Sequence, residues 1–324
     1  MPQKKRNNAK KGSFPVAHHH YMAAFFIASS AVIYLSFRAL PHSRAEFEAV
    51  PLTIYQDHTV VLSGYSPVKI PRATTARPPL FAPAAYTAID VTTHSLLLGK
   101  NTDTKRPIAS LTKLMTVLVA LDHVKLTDAV TVRGNYTDLP AHKLGLVPGD
   151  TILVQDLLTA SLVSSSNDAA AVLSEAVSPG KPLEFIRLMN EKATELGMSN
   201  THFSNMIGLD QGDNYSTAGD LAILARAAIS HPEVMREVGK ENAGIVWNSG
   251  NKKAEIRSTN ALLTDKDFRV LGLKTGSTPL AGECFITLTE IAGNQVITVV
   301  LGSSARFVQT KEMLAWIAQN ISWE

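Results

Sequence analysis

Residues 107–116 read Pro-Ile-Ala-Ser-Leu-Thr-Lys-Leu-Met-Thr and open an apolar segment that continues to residue 121. Few polar residues interrupt 111–121, which predicts a central buried helix rather than a surface helix. Ser110 and Lys113 stand three residues apart where this helix begins, so both side chains lie on one face of its first turn. The amine can accept the hydroxyl proton, and the helix dipole favours the oxyanion formed. The pair is therefore a candidate nucleophile with its base.

The Ser-x-x-Lys pattern is common, and this chain contains it four times, at Ser66, Ser110, Ser178 and Ser249. The pattern at Ser66 is followed closely by Pro71, and the pattern at Ser178 contains proline and glycine, so neither fits inside a regular helix. The pattern at Ser249 lies in a polar, glycine-containing segment that is typical of a turn. Only Ser110 opens a sustained apolar helix.

The charge of the chain is concentrated at its amino terminus. Its 324 residues have an ordinary globular composition and a formal net charge of +3. Seven lysines and arginines precede the first acidic residue, Glu46, so residues 46–324 carry a formal charge of −4. Nucleic-acid binding by the folded part is therefore not indicated. The single cysteine, Cys284, excludes an intramolecular disulfide and a cysteine-based metal cluster, and we expect its thiol to be buried and inert.

Three segments precede the expected catalytic domain. Residues 1–20 form a basic tail that we expect to stay in the cytoplasm. Residues 21–37 are an uncharged run of seventeen residues, which suits a membrane anchor or a long signal-peptide core. We favour an uncleaved anchor that places the body outside the cytoplasm; cleavage near 43–45, with secretion, is the alternative. Residues 38–83 are proline-punctuated and predict an extended spacer with one short strand near 58–62.

Residues 84–324 carry the pattern of one α+β domain. Short connections between its strands predict antiparallel pairing. We therefore expect an antiparallel sheet flanked by helices, together with a helical subdomain in the middle third. The expected strands are 85–91, 96–98, 244–247, 254–258, 270–275, 284–290 and 295–302, and the expected helices are 111–121, 155–163, 169–177, 182–196, 216–230 and 306–320.

A polar break, Ser164-Ser165-Ser166-Asn167-Asp168, separates two of these helices. Taken alone, the break is accounted for by Asn167 or Asp168 capping the second helix. The chain has no Gly-x-Ser-x-Gly elbow, no His-Glu-x-x-His and no phosphate or dinucleotide loop. The histidines show no ligand spacing on a helix, and we interpret His142 and His202 as structural. We therefore predict neither a metal site nor a cofactor.

Three motifs remain, and they occur in an informative order. Ser110-x-x-Lys113 is followed by Ser165-Ser166-Asn167 at the helix break and by Lys274-Thr275-Gly276 at the end of a predicted strand. This trio resembles the motifs of penicillin-binding proteins and class A β-lactamases. Together with residues 107–116, 197–203, 208–210 and 281–284, it resembles the serine D-Ala-D-Ala carboxypeptidases, the low-molecular-mass penicillin-binding proteins or S11-type peptidases, over about residues 84–324.

The resemblance implies a β-lactamase/DD-peptidase-like transpeptidase fold and a division of labour among the motifs. Ser110 would attack the D-Ala-D-Ala carbonyl of a peptidoglycan stem peptide and form an acyl-enzyme. Lys113 would be its base, kept neutral by burial beside Lys274. Ser165 would relay a proton to the leaving amine, and Asn167 would orient Lys113 and the substrate amide. β-Lactams would be covalent inhibitors.

The third motif would bind the terminal carboxylate in this family. Lys274 and Thr275 would receive it, and Gly276 would let the substrate lie against the strand. The backbone N–H groups of the nucleophile and Ser277 would form the oxyanion hole. Arg306 stands where the family tends to carry a carboxylate-binding arginine, although an arginine at a helix start also suits the protein surface.

Several departures from the family pattern keep alternatives open. The second motif has Ser166 where glycine is usual, which is tolerable if the side chain points away from the site. The chain ends at Glu324 without the β-rich carboxy-terminal domain of many relatives, so a D,D-endopeptidase that cleaves crosslinks is the main alternative. Glu184 and Asn190 do not fit the deacylation motif of a class A β-lactamase. A catalytically silent peptidoglycan-binding protein would retain the fold without the reaction.

Overall fold

The computed structural model describes residues 68–140, 142–210 and 212–324. The described residues, from 68 to 324, form one compact unit. Its strands are β1 Pro71–Ala73, β2 Ala85–Asp90, β3 Leu96–Lys100, β4 Ala129–Thr131, β5 Thr151–Leu153, β6 Asn242–Trp247, β7 Lys252–Arg257, β8 Arg269–Thr278, β9 Gly282–Ile291, β10 Asn294–Ser303 and β11 Ile321–Trp323. Its α-helices are α1 Thr112–His123, α2 Val154–Val163, α3 Asn167–Val177, α4 Pro182–Glu195, α5 Ala218–Ile229, α6 Pro232–Val238 and α7 Arg306–Asn320, and 3₁₀ turns cover Ala109–Leu111 and Ala261–Thr264.

The main sheet has five antiparallel strands in the order β3-β2-β10-β9-β8. Both of its faces are covered, and side chains along β10 alternate between two apolar clusters. Val296 and Val300 pack with Met313 and Leu314 of α7. Ile297 and Val299 belong to the larger cluster that contains α1 and α5. Because β8 ends the order, its outer edge is left for the site described below.

The helical part is built around α1. Nine consecutive residues of this helix, Thr112–Ala120, are buried, which confirms the prediction of a central helix without an exposed face. Helices α2 and α3 pack against it and against each other through residues of the same cluster. The expected hairpin at 85–98 and the helices and strands that follow are present, with ends shifted by a few residues, as is usual for helix and strand boundaries.

A second sheet was not distinguished in the sequence. Strands β6 and β7 join β4 and β5 in a separate four-stranded sheet instead of extending the main one. Asp150 holds this sheet together, because its carboxylate accepts hydrogen bonds from Trp247 at 3.2 Å, Asn248 at 2.7 Å and Lys252 at 2.8 Å. These partners are about a hundred residues away in the chain, so local patterns do not reveal the pairing.

The compact unit includes residues that precede 84, where the spacer was expected to end. Strand β1 pairs with β11 at the carboxy terminus, with Pro71 opposite Trp323. Phe81 is also buried, edge-on to Tyr86 at a ring distance of 5.6 Å. Proline is tolerated in such short edge strands, so the prolines of this segment do not prevent β1 from pairing with β11.

The expected tail, 1–20, and anchor, 21–37, lie outside the described residues, as do most of the spacer and its expected strand near 58–62. Across 68–140, 142–210 and 212–324, no helix has both the length and the apolar character needed to span a membrane.

We predict that Trp323 anchors the terminal strand pair. Its indole Nε1 donates to Asp90 Oδ2 at 2.8 Å, and its ring packs on the α7 side of the sheet. Because the side chain is half-buried, Trp323→Ala should lower the free energy of unfolding by about 2 kcal/mol, less than for a fully buried tryptophan. Trp323→Phe, which keeps a ring but loses the N–H, should lower it by about 1 kcal/mol. Urea unfolding measures both values. A loss below about 0.5 kcal/mol for the alanine variant would contradict this role.

Candidate active site

Ser110 lies in the 3₁₀ turn Ala109–Leu111 that leads into α1. The end of β8 packs directly against this turn. A Cβ atom at Gly276 would stand 2.9 Å from Ser110 N and 3.0 Å from Ala109 Cβ. On the other side, a Cβ atom at Gly208 would clash with the carbonyl oxygen of Ala109. Two glycines therefore allow the sheet and a loop to close around the serine. From the sequence, glycine at 276 was expected only to leave room for the substrate. Its close contact with the turn that carries Ser110 is a second reason why a side chain does not fit there.

Lys113 is fully buried, and its amine has three hydrogen-bond partners. Nζ lies 2.8 Å from Ser110 Oγ, 2.8 Å from Asn167 Oδ1 and 2.9 Å from Ile207 O. The amide and carbonyl oxygens are acceptors only, so they take two N–H groups. A neutral amine then keeps its lone pair for the hydroxyl of Ser110. The geometry suits a base that is ready to receive the serine proton.

Asn167 links this amine to a neighbouring loop. Its Oδ1 faces Lys113, and its Nδ2 donates to Pro140 O at 2.7 Å, which fixes the orientation of the amide. Its backbone N–H donates to His142 O at 2.8 Å. Asn167 is the first residue of α3 rather than its cap. Capping alone, which accounts for the polar break when read by itself, is therefore wrong for Asn167.

The remaining residues of the break have separate tasks. Ser165 adopts a left-handed conformation, with φ of 61°, and lines the site. Ser166 points away from it, because its Oγ donates to Asp168 Oδ1 at 2.5 Å. Asp168 also accepts the N–H groups of Leu144, Gly145 and Leu146 at 2.8 to 3.1 Å. Asp168 thus secures the preceding loop instead of capping α3, and Ser166 is accommodated in place of glycine.

The end of β8 forms the opposite side of the site. Lys274 is buried, and its Nζ donates to Thr275 O at 2.9 Å. Arg306, at the start of α7, reaches across to donate from Nη1 to Gly276 O at 2.8 Å. Its Nε is buried, with no hydrogen-bond partner within the described residues. Arg306 is therefore directed at this site and is not a surface arginine. Ser277 is exposed at the rim.

A pocket of about 260 Å³ joins these parts. The predicted residues with side chains or backbone on its wall are Ser110, Ser165, Thr275, Gly276, Ser277 and Arg306. Lys113, Asn167 and Lys274 are buried behind them. Two further lining residues were missed in the sequence, His142 and Thr259. No group of three or more potential metal ligands occurs in the part of the chain that the structure describes.

The sequence model of the D-alanyl-D-alanine carboxypeptidase family (peptidase S11) matches residues 72–305 of this chain. The chain belongs to this family. The match covers the whole pocket except Arg306, which is the next residue along. The resemblance inferred from the three motifs is thereby confirmed.

Individual relatives of the carboxypeptidase family agree with this placement. DacD of Salmonella typhimurium, a D-alanyl-D-alanine carboxypeptidase, is 33% identical over 261 residues, which are 76% of this chain but 65% of that protein. The D-alanyl-D-alanine endopeptidase of Escherichia coli is 31% identical, over 77% of this chain and 81% of that protein. The crystal structure of the Streptomyces K15 DD-transpeptidase superposes with a TM-score of 0.69 at 31% identity, over 74% of this chain and 98% of that one. The predicted α+β fold is confirmed.

Burial dominates the electrostatics of this family member's site. It lowers the pKa of Lys113 from 10.5 to about 7. The pKa of Lys274 is lowered as well, first by burial and then by the charges of Lys113 and Arg306. Because this repulsion is mutual, the two buried amines disfavour carrying a charge at the same time.

The two residues that were not assigned to the site from the sequence, His142 and Thr259, differ in the sequence signal they carry. His142, interpreted as structural, has φ of 43° and faces the pocket. Burial and the charges of Lys274, Lys113 and Arg306 lower its pKa from 6.5, so the ring is neutral at neutral pH. Thr259 belongs to Ser258-Thr259-Asn260, which repeats the Ser-x-Asn spacing of the second motif, as does Ser249-Gly250-Asn251, so the spacing alone did not single it out. His202 is structural as predicted, since its backbone pairs with Tyr215 outside the pocket.

We predict that acylation of Ser110 rises with pH through about 7. Lys113 accepts the serine proton only when neutral, and its neutral fraction grows as pH rises through a pKa of about 7. The second-order rate of labelling by a fluorescent penicillin, measured from pH 5.5 to 9, should therefore increase and level off. His142→Gln removes the histidine on the pocket wall and should leave the midpoint in place. Loss of the midpoint in that variant would contradict the assignment to Lys113.

Proposed function

We propose that this protein is a serine-type D-Ala-D-Ala carboxypeptidase that removes the terminal D-alanine from peptidoglycan stem peptides. The observation that supports this most directly is the hydrogen bonding of Lys113. Its amine lies 2.8 Å from Ser110 Oγ, while Asn167 and Ile207 occupy its other hydrogen-bonding positions. A lysine held in this way serves as a general base, and a serine beside it serves as a nucleophile.

The first half of the reaction forms an acyl-enzyme. Lys113 accepts the proton of Ser110, and Oγ attacks the carbonyl carbon of the D-Ala-D-Ala bond. The backbone N–H groups of Ser110 and Ser277 stabilise the oxyanion, at about 3 kcal/mol per donor. Ser165, on the pocket wall, relays the proton from Lys113 to the leaving amine as the C–N bond breaks, and free D-alanine departs. Water then hydrolyses the ester and releases the shortened peptide, which restores Ser110.

The terminal carboxylate gives the site its specificity for chain ends. Arg306 supplies positive charge at the end of β8, Lys274 supplies an amine, and Thr275 supplies a hydroxyl. None of the described residues that line the pocket is acidic. The free edge of β8 also offers main-chain groups to an extended peptide. A β-lactam carries a carboxylate and a reactive amide, so it enters the same site and acylates Ser110.

Cleavage of crosslinks is the second candidate. The E. coli endopeptidase is matched over 81% of its length, a larger share than the 65% for DacD. Both reactions use the same acyl-enzyme chemistry and differ in the group that leaves. A crosslinked substrate has a branched amine there, which needs room beyond the rim at Ser277.

We predict that the purified protein releases D-alanine from a muramyl pentapeptide and is labelled by fluorescent penicillin. Ser110→Ala should abolish both, because no other nucleophile replaces the hydroxyl. Ser249→Ala is a matched control, since it alters the serine of another Ser-x-x-Lys pattern, exposed in the β6–β7 turn. It should behave like the wild type.

Mass spectrometry of the products separates the alternatives. Release from the pentapeptide supports a carboxypeptidase, and products from a crosslinked dimer alone support the endopeptidase. Absence of both products together with absence of labelling would support a silent binding protein. Rapid, repeated hydrolysis of the penicillin itself would indicate a β-lactamase.

We also propose that the catalytic unit works outside the cytoplasmic membrane, anchored by residues 21–37. The lysines and arginines before this segment favour retention of its amino end in the cytoplasm. Protein recovered from isolated membranes should therefore begin at the native amino terminus when sequenced. A terminus at Glu46 would show cleavage after the small-residue site at 43–45 and contradict the anchor.

A further inference from the structure

Thr259 lies at the junction of the two halves of the site, although no motif includes it. Its backbone N–H donates to Val163 O at 3.1 Å, two residues before Ser165. Its Oγ1 lies 2.5 Å from Thr275 Oγ1 on β8. One residue thus contacts both the end of α2 in the helical part and the strand that carries the third motif.

The backbone around Thr259 is held on both sides. Ser258 N donates to Glu241 O at 2.8 Å, and Asn260 N donates to Ser258 Oγ at 3.1 Å. Asn260 Oδ1 then accepts from Leu262 N at 3.0 Å and starts the 3₁₀ turn Ala261–Thr264. These contacts hold the backbone on both sides of Thr259, so its side chain meets Thr275 from a fixed position in the chain.

Two hydroxyls in contact contain one more donor than their mutual bond uses. Whichever hydroxyl donates, the other retains a proton for a second acceptor. Both threonines line the pocket with Arg306, and none of the described lining residues is acidic. The acceptor that suits this proton is an oxygen of a bound anion, because a hydrogen bond to a charged acceptor is stronger than one to a neutral oxygen. The carboxylate of the terminal D-alanine has this chemistry.

We infer that Thr259 is a positioning residue for the substrate carboxylate: its hydroxyl orients that of Thr275 so that the pair delivers one proton to the anion. This role rests on the proposed function. It also explains why the connection to Val163 matters, because the same residue sets the distance between the carboxylate subsite and the Ser165 segment. Without the Thr259 hydroxyl, Thr275 rotates more freely and binds the anion less well.

The test compares two substrates that differ only at the chain end, a D-Ala-D-Ala peptide with a free carboxylate and its carboxy-terminal amide. Thr259→Ala should raise KM for the free acid by about tenfold while kcat changes little. The ratio of kcat/KM for acid over amide should fall by a similar factor. Thr259→Ser retains the hydroxyl and should recover most of the loss. Thr264→Ala, in the following 3₁₀ turn and outside the pocket, is the matched control.

A double-substitution cycle tests the pairing itself. If the two hydroxyls act as a unit, Thr259→Ala combined with Thr275→Ala should be no worse than Thr275→Ala alone. Additive losses, equal losses on acid and amide, or failure of Thr259→Ser to recover activity would each overturn the inference. Thermal unfolding of each variant shows whether a loss reflects folding. If the wild type releases no D-alanine from the free acid, the proposed function fails; if it does and Thr259→Ala matches it, only this inference fails.

Discussion

The burial of the Lys113 amine is the constraint on which the rest of the site depends. A charged ammonium without solvent is costly, so the group loses its proton more readily than a solvated lysine does. Between a pH of about 7 and 10.5, the unfolded chain binds a proton that the folded chain does not. The free energy of unfolding therefore rises as pH increases through this window, because the folded state no longer holds a buried charge. Below the window, the destabilisation by protonated Lys113 is fully present. The burial that makes Lys113 a usable base near neutral pH therefore lowers the stability of the fold there.

The neighbours of this amine come from three parts of the chain, and each is fixed by its own contacts. Asn167 begins α3 and is tied to the loop before it. Ile207 belongs to the connection between α4 and α5, where Gly208 allows close approach to the nucleophile turn. Ser110 is pressed against β8 through Gly276. A rigid site with little room for adjustment results, which is what catalysis by positioning requires.

Local patterns were sufficient for much of the fold and for the motif residues. The apolar run after Ser110 and the period of two in the later strands determine element type, so α1 and β8–β10 were predictable. Pairing partners distant in the chain were not. The second sheet, the β1–β11 pair and the pocket positions of His142 and Thr259 depend on tertiary contacts that leave no local period. Asp168 shows the same limit, since a cap and a loop anchor have the same sequence signature.

Lys113 and Lys274 are two buried amines in one site, so the charge of each affects the other. In the free site, Lys113 and Arg306 disfavour the charged form of Lys274. A bound carboxylate reverses that balance, because its negative charge favours protonated Lys274. A protonated Lys274 in turn disfavours a proton on Lys113, since two buried ammonium groups repel each other. In the proposed reaction, a carboxylate held closer to Lys274 than to Lys113 therefore favours the arrangement in which Lys113 is the neutral amine of the pair.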